Sequence, residues 1–422
     1  MIRIFTLTLI AISCSFFSIA QNKFVDNGSS TSFTLRTGDS LIIKSGRFTG
    51  SINSWEKGVH ILVTESAEFA PSSLGYYQGT LTIFGRAVIP SLDGQSDHFE
   101  LRNSGRTVVN GNSYFGNNAS IHNNFGALLE LNGDVNSNKI NLTNVGTIRM
   151  AGNWYLGNNS KLTNTGRLDI AGNVELNASH ITNSGQLIAG QKLTISNGDF
   201  ANNCRVTAGN KMQINGAVFT NNGMVWIKAS GSDPLLENNG TIDGKPGSTF
   251  KSVNFANNKT ITGSGYYYFT GNTSHNAGSI GTNGNNDDAI SVYDATRTNP
   301  ATIFDAQSGN VRRSVSFAAL SAPDTLGISN PCGSGVAEGA LPVKWNYFNA
   351  NANQQQIILN WSAEQDNGTK FEVERSLDNR TYSTIHSFVA DFGATKFTYT
   401  DAQAGTNSQV VYYRIRAIEP TG

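Results

Sequence analysis

"KLTNTGRLDIAGNVELNASHITNSGQLIAG", residues 161–190, carries one phrase twice: Leu162-Thr-Asn-Thr-Gly166 returns 19 residues later as Ile181-Thr-Asn-Ser-Gly185. Between the copies the pattern has a period of two. In Gly166-Arg-Leu168-Asp-Ile170 apolar and polar residues alternate, and Val174-Glu-Leu176 resumes the alternation after an Ala-Gly-Asn corner. Alternation over four or five residues, bounded by Gly and Asn, describes a half-buried strand. A unit of about 19 residues is too short for a helix-pair repeat and too long for a single hairpin strand. It fits one coil of a parallel β-solenoid, stacked on its neighbours at about 4.8 Å.

Followed outward, the unit of an apolar residue, any residue and Asn recurs at Asn103, Asn123, Asn144, Asn164, Asn183, Asn202, Asn221, Asn238 and Asn257. Successive positions differ by 20, 21, 20, 19, 19, 19, 17 and 19. A second marker keeps phase with the first: Asn110-Gly111, Asn132-Gly133, Ala151-Gly152, Ala171-Gly172, Ala189-Gly190 and Ala208-Gly209. Stacked coils put like over like. The nine Asn side chains are therefore expected to form one hydrogen-bonded amide ladder, beside ladders of core Leu and Ile, over roughly 38 Å. The corner Gly residues are read as positions of positive φ, which Asn also tolerates. Cys204 and Lys259 stand where other coils have that Gly, so Cys204 reads as a tolerated corner or core substitute and not as a nucleophile.

The pattern divides the chain. Residues 21–100 lack the Asn marker but keep alternating strands, as in "FTLRTGDSLIIKSG" and "GTLTIFGRAVIP", and read as irregular coils with an amino-terminal cap. Residues 101–270 are the regular solenoid, taken as right-handed, and residues 271–318 its terminal coils and cap. Residues 319–340 show no periodicity and read as a linker. In residues 341–422, strands bearing large alternating residues recur about every ten positions, the spacing of a β-sandwich. That module stops at "IEPTG" where one more strand is expected. The fold class is all-β: a parallel β-helix followed by a sandwich incomplete at its carboxy terminus.

Composition narrows the function. Thirty Lys and Arg balance thirty Asp and Glu, so there is no basic field to hold nucleic acid or an anionic membrane. The opening "MIRIFTLTLIAISCSFFSIA", with Arg3 before a short apolar run and Ser18-Ile19-Ala20 at its end, reads as a secretory signal cleaved after Ala20. It is too short to remain as a membrane span. Cys14 is a poor lipidation site, because Ala11 stands where such sites favour Leu. Cys204 and Cys332 then remain, enough for one disulfide but not for a disulfide framework or a paired-Cys metal site.

Leu341-Pro-Val343, Leu359-Asn-Trp361, Phe371-Glu-Val-Glu-Arg375-Ser376 and Tyr412-Tyr-Arg414 resemble the fibronectin type III-like module common in secreted Bacteroidetes proteins. The resemblance implies that a sorting domain for type IX secretion and surface attachment commonly follows such a module. None lies in this sequence. The Asn- and Gly-rich coils are similar to the β-helical stalks of adhesin-like surface proteins, a likeness of architecture that brings no catalytic residue with it.

β-Helices also carry polysaccharide hydrolases and lyases, which need paired acids in a groove. The best candidate is "GNNDDAISVYD", with Asp287, Asp288 and Asp294. It resembles the Asp-Asp stretch of polygalacturonases, but the companion motifs Asn-Thr-Asp, Gly-His-Gly and Arg-Ile-Lys are missing. It reads better as a solvated turn, able at most to hold a Ca²⁺ loosely. Acids along the repeats occupy different coil positions, and no His pair has zinc spacing. Aromatic rings can stack on sugars, and Tyr114-Phe115, Trp154-Tyr155, Trp226 and Tyr266-Tyr-Tyr268 are the candidates. Parity along the strands picks Tyr155 and Tyr267 as the outward rings. Thr-x-Thr rows of the kind that could bind ice are not continuous. The expectation is an exported structural or adhesive protein without catalysis, partnered by a polysaccharide or another surface component. The alternative is a carbohydrate-active enzyme or carbohydrate-binding module on the β-helix.

Overall fold

The computed structural model describes residues 22–318 and 344–418, apart from 93–96, 229–233, 285–288, 298, 354–355, 365–368, 391–395 and 403–409. The expected signal segment, Cys14, Asp287, Asp288, the linker and Cys332 lie outside the described residues. Among those described there is no helix. A parallel β-solenoid makes about 12 turns in residues 23–280, and parallel strands continue the stack to Phe317.

A regular coil is a triangle of three short strands, as in Asn141–Asn144, Thr147–Met150 and Trp154–Gly157. Residues of the first, second and third strand of every coil build the first, second and third face. Alternation decides what goes inside, because successive side chains of a strand point to opposite sides. Leu142, Ile148, Met150, Trp154 and Leu156 are buried in the interior. The neighbouring coils supply Leu162, Leu168, Ile170, Val174 and Leu176 in register with them.

The first face ends in the amide ladder. Nδ2 of Asn103, Asn123, Asn144, Asn164, Asn183 and Asn202 each donates to Oδ1 of the next Asn, at 2.7–2.9 Å. The second hydrogen of each amide goes to a backbone carbonyl of the coil above, for example Asn164 to Gln186 at 3.0 Å. Thr107 Oγ1 donates to Asn103 Oδ1 at 3.0 Å and closes the lower end. Every Asn in the stack is fully buried or nearly so; at the upper end Asn221 Nδ2 donates to the Thr249 carbonyl at 3.3 Å, and its Oδ1 also accepts from the Gly223 backbone N–H.

The single ladder of nine expected from sequence is two stacks. Above Asn221 the first-face position belongs to Gly244 and then Gly263. Asn238 and Asn257 sit on the third face instead, above Ile214 and below His275. There Asn238 donates to Asn257 Oδ1 at 2.7 Å, Asn257 Nδ2 lies 3.0 Å from His275 Nδ1, and His275 Nε2 lies 3.2 Å from the Asn310 carbonyl. The 17-residue step marks the place where the motif changes face.

Two other expectations change. The coils before residue 100 are regular on the first face, where Ser40, His60, Thr80 and Glu100 stack in parallel register, but irregular on the third, where Phe33–Leu35, Ser51–Trp55 and Ser73–Tyr77 form a separate sheet with a register shift, followed only by an isolated bridge at Leu92. They lack the Asn marker because Ile43, Val63 and Ile83 fill its position with apolar side chains. Nor do the Asn-x-Gly corners demand positive φ. The positive-φ residues Asn158, Ala178, Asn197 and Gly216 lie at the corner between the third and first faces. At Gly166 the constraint is space, since a Cβ there would meet the Gly146 carbonyl oxygen at 2.1 Å.

Residues 344–418 form two three-stranded antiparallel sheets. Lys344–Asn353, Gln356–Glu364 and Lys396–Asp401 make one; Lys370–Ser376, Ser383–Val389 and Tyr412–Ile418 make the other. Fully buried Trp361 of the first sheet meets Phe371, at 6.2 Å between ring centroids, and Phe388, at 6.1 Å, of the second. In a turn of this unit Asp378 accepts from the Thr381 and Arg380 backbone N–H groups and from the Ser376 hydroxyl, which hold its pKa down at about 2.

Replacing Asn164 by Ala should cost about 3–5 kcal/mol, because one buried partner is lost at each of Asn144, Asn183 and Gln186. The exposed Asn276→Ala should change stability by less than about 0.5 kcal/mol, and urea melts followed by circular dichroism compare the two. A depressed carboxylate pKa stabilises the fold above the unfolded value and is lost as pH falls through the folded one. Asp378→Asn should therefore remove part of the acid sensitivity of Trp361 fluorescence melts from pH 3.8 down to about 2.

Candidate functional site

Three outward surfaces were candidates for contact with a ligand. On the first face, one outward column runs Thr143, Thr163, Thr182, Ala201 and Thr220 at one residue per coil. It is flanked by a column of Ser120, Asn141, Lys161, His180 and Asp199. Charges on this face pair locally: His180 Nδ1 lies 2.5 Å from Asp199, and Arg102 Nε donates to Glu100 at 2.8 Å. Burial works to raise the Glu100 pKa, but the Arg102 hydrogen bond and charge, with the Thr80 hydroxyl, hold it below the usual carboxylate range. The result is a flat, polar strip with short side chains. Lys161, His180, Asp199 and Ala201 interrupt any continuous Thr-x-Thr array.

The third face carries Tyr155, which points outward and is half-buried, as parity predicts. Its ring lies over Gly157, where an added Cβ would meet the hydroxyl oxygen at 2.6 Å. Asn136 stands below it and Glu175 above. Tyr267 is the opposite case. It points into the core, is 2 % exposed, and stacks on Phe250 with 4.5 Å between ring centroids. Burial pushes its phenol pKa upward, and among the described residues its hydroxyl has no hydrogen-bond partner. The outward-facing residues of that strand are Tyr266 and Tyr268. Parity failed because Gly263 and Gly265 both take positive φ at the preceding corner, which resets the alternation.

Asp294, the described member of the acidic candidates, is buried and consumed by its own turn. Its carboxylate accepts from the Thr273 hydroxyl and from the Thr296 backbone and hydroxyl groups, at 2.5–2.9 Å. No group of three or more His, Cys, Asp or Glu that could hold a metal ion occurs among the described residues.

The second face brings together a cluster that the sequence disguises. Trp226, Lys251, Tyr268 and Tyr293 occupy one outward column on successive coils. Arg205, Lys228 and Lys251 lie 5.7, 5.6 and 5.2 Å from the Trp226 ring centroid. Tyr268 and Tyr293 stack at 5.0 Å, within 6° of parallel. Each cation over an aromatic face contributes about 0.5–1 kcal/mol. Trp226 and Tyr268 stand out in the sequence only as aromatics. Their alignment is hidden because this column advances by unequal steps through corners of different length.

No family model, curated protein or solved structure matches the chain.

The orphan hydroxyl gives a direct check on the placement of Tyr267. Tyr267→Phe should stabilise the protein by about 1 kcal/mol, since a buried unpaired O–H is removed at nearly constant shape. Tyr155→Phe should leave the urea midpoint unchanged.

Proposed function

We propose that this chain is an exported structural protein that displays a stiff β-solenoid for adhesion to a glycan or another surface component. The observation that carries this reading is the first face. Its outward side repeats polar side chains, many of them short, coil after coil at about 4.8 Å. Such a strip suits many weak contacts that add by multivalency, whereas catalysis needs convergent acids in a groove.

Export is supported by the leader-like residues 1–20 and by the disulfide at Cys204, a bond that persists in oxidising compartments. The strand order of residues 344–418 pairs the first, second and fifth strands in one sheet and the fourth, third and sixth in the other. That order, with Trp361 between the sheets, supports a fibronectin type III-like sandwich. By the resemblance of that module, surface attachment through type IX secretion belongs to the same proposal. A carbohydrate-binding module is the second reading, favoured by the Trp226 cluster and by Tyr155.

Purified protein incubated with insoluble polysaccharides, with the supernatant assayed for released sugar, tests the reading. Retention without release, weakened several-fold by Thr163→Lys with Thr182→Lys, is the expected result. Weakening instead by Trp226→Ala or Tyr155→Ala would favour the second reading. Release of sugar would sink the non-catalytic proposal.

A further inference from the structure

The corner between the first and second faces is polar in most coils, where Ser104, Thr165, Ser184, Asn203 and Asn222 stand at its turn. Phe84, Phe125 and Val145 break that rule, at 48, 85 and 40 % exposure. Phe84 lies two coils below Phe125, about 10 Å away at 4.8 Å per coil. Local structure requires neither ring. Phe125 is second in a four-residue turn: the Ala127 N–H donates to the Asn124 carbonyl at 3.0 Å, and Gly126 takes a φ of 75°. That is the type II pattern, which sets no demand for an aromatic there. Equivalent corners are closed with Glu65 and Pro246 at that position, through Ala67 donating to Thr64 at 3.1 Å and Ser248 to Lys245 at 2.9 Å. Phe84 stands where the next coil has Ser104.

The faces of these two rings are open. Trp226 is surrounded by cations, Tyr268 stacks on Tyr293 and Tyr155 lies over Gly157. Phe84 and Phe125 have no such ring or cation contact among the described residues. Between them Asn124 Nδ2 donates to Ser104 Oγ at 2.7 Å. The Ser104 hydroxyl hydrogen and Asn124 Oδ1 have no other partner among the described residues, so both are open to a ligand. The charges on either side are paired: Arg102 with Glu100 at 2.8 Å, Arg86 with Glu68 at 3.5 Å, and Arg106 with Glu130 at 2.7 Å. We propose that Phe84 and Phe125 are the stacking contacts of a neutral, equatorially linked polysaccharide lying along this corner. Ser104 and Asn124 hydrogen-bond its hydroxyls, and Val145 covers the sugar beyond Phe125. Equatorial linkages leave each pyranose with flat C–H faces that pack on aromatic rings. Successive sugars are turned over, so the same face returns at every second sugar, a repeat close to two coils. Paired charges give an acidic chain no net attraction, which selects an uncharged one. The inference rests on the reading of the first face as a glycan-binding surface, whose edge this corner forms.

Binding isotherms of the purified full-length chain on microcrystalline cellulose, β-mannan and chitin test it, with polygalacturonate-coated beads as the acidic comparison. Saturable binding to at least one neutral polymer is expected, unchanged by about 0.5 M sodium chloride. Phe84→Ala and Phe125→Ala should each weaken it about fivefold, and about twentyfold together. The urea midpoint of both variants should stay at the wild-type value, because both side chains lie outside the core. If Thr163→Lys with Thr182→Lys weakens retention and the Phe variants do not, the reading of the first face stands and this inference falls. Retention on polygalacturonate alone would also overturn it. A doubling of mass in sedimentation that Phe125→Ala abolishes, without binding to any neutral polymer, would assign the patch to a second copy of the chain instead. No retention on any polymer would overturn both the inference and the reading beneath it.

Discussion

The structure depends on the buried amide ladder from Asn103 to Asn221. A lone Asn in a hydrophobic core is a liability, because each unpaired N–H or C=O loses its hydration without compensation. Stacked at the strand spacing, each amide finds its partner one coil away, so the cost is offset only when every coil is present and in register. A slip of one residue would turn the apolar set outward and separate the amides together. Between strands the coils are free to vary. Asn123–Leu128 takes two more residues around its corner than Asn144–Thr147, and the surplus pushes Phe125 out to 85 % exposure while the register on either side is kept.

The ladder also explains the ends of the regular region. Below Asn103 the same position holds Ile43, Val63 and Ile83, which need no partner. Above Asn221 it holds Gly244 and Gly263, and a second polar stack opens on the third face through Asn238, Asn257 and His275. The first stack ends with Asn221 donating to the Thr249 carbonyl, and the second with Asn257 Nδ2 meeting His275 Nδ1. A half-filled ladder would leave buried donors without acceptors.

The three faces divide the remaining tasks. The first is polar, flat and open, with its charges paired within neighbouring coils. The third carries Tyr155 and an outer Asn row, in which Asn239, Asn258 and Asn276 each donate to the Asn below at 2.7–3.0 Å. The second carries the charged residues Arg106, Glu130, Arg149, Arg167 and Asp169, and Glu130 and Arg149 among them are buried.

The sequence by itself determined the coil. Two phased markers and a period-two pattern require short strands, a step of 19–21 residues and in-register stacking, and these are found from Asn103 to Asn221. The same reasoning placed Tyr155 outward and Cys204 at a corner, where it is buried. It failed at the corners after Asn221 and before Tyr266, because a marker records its position in the chain and not its face. Asn238 repeats the motif of Asn221 yet stands on another side of the triangle, and Tyr267 turns inward after two positive-φ glycines. Only the tertiary structure decided which side chains share a column, since contacts between coils depend on the summed turns of every corner between them. That is why the Trp226 cluster and the buried outer side of the second face had no signature in the chain.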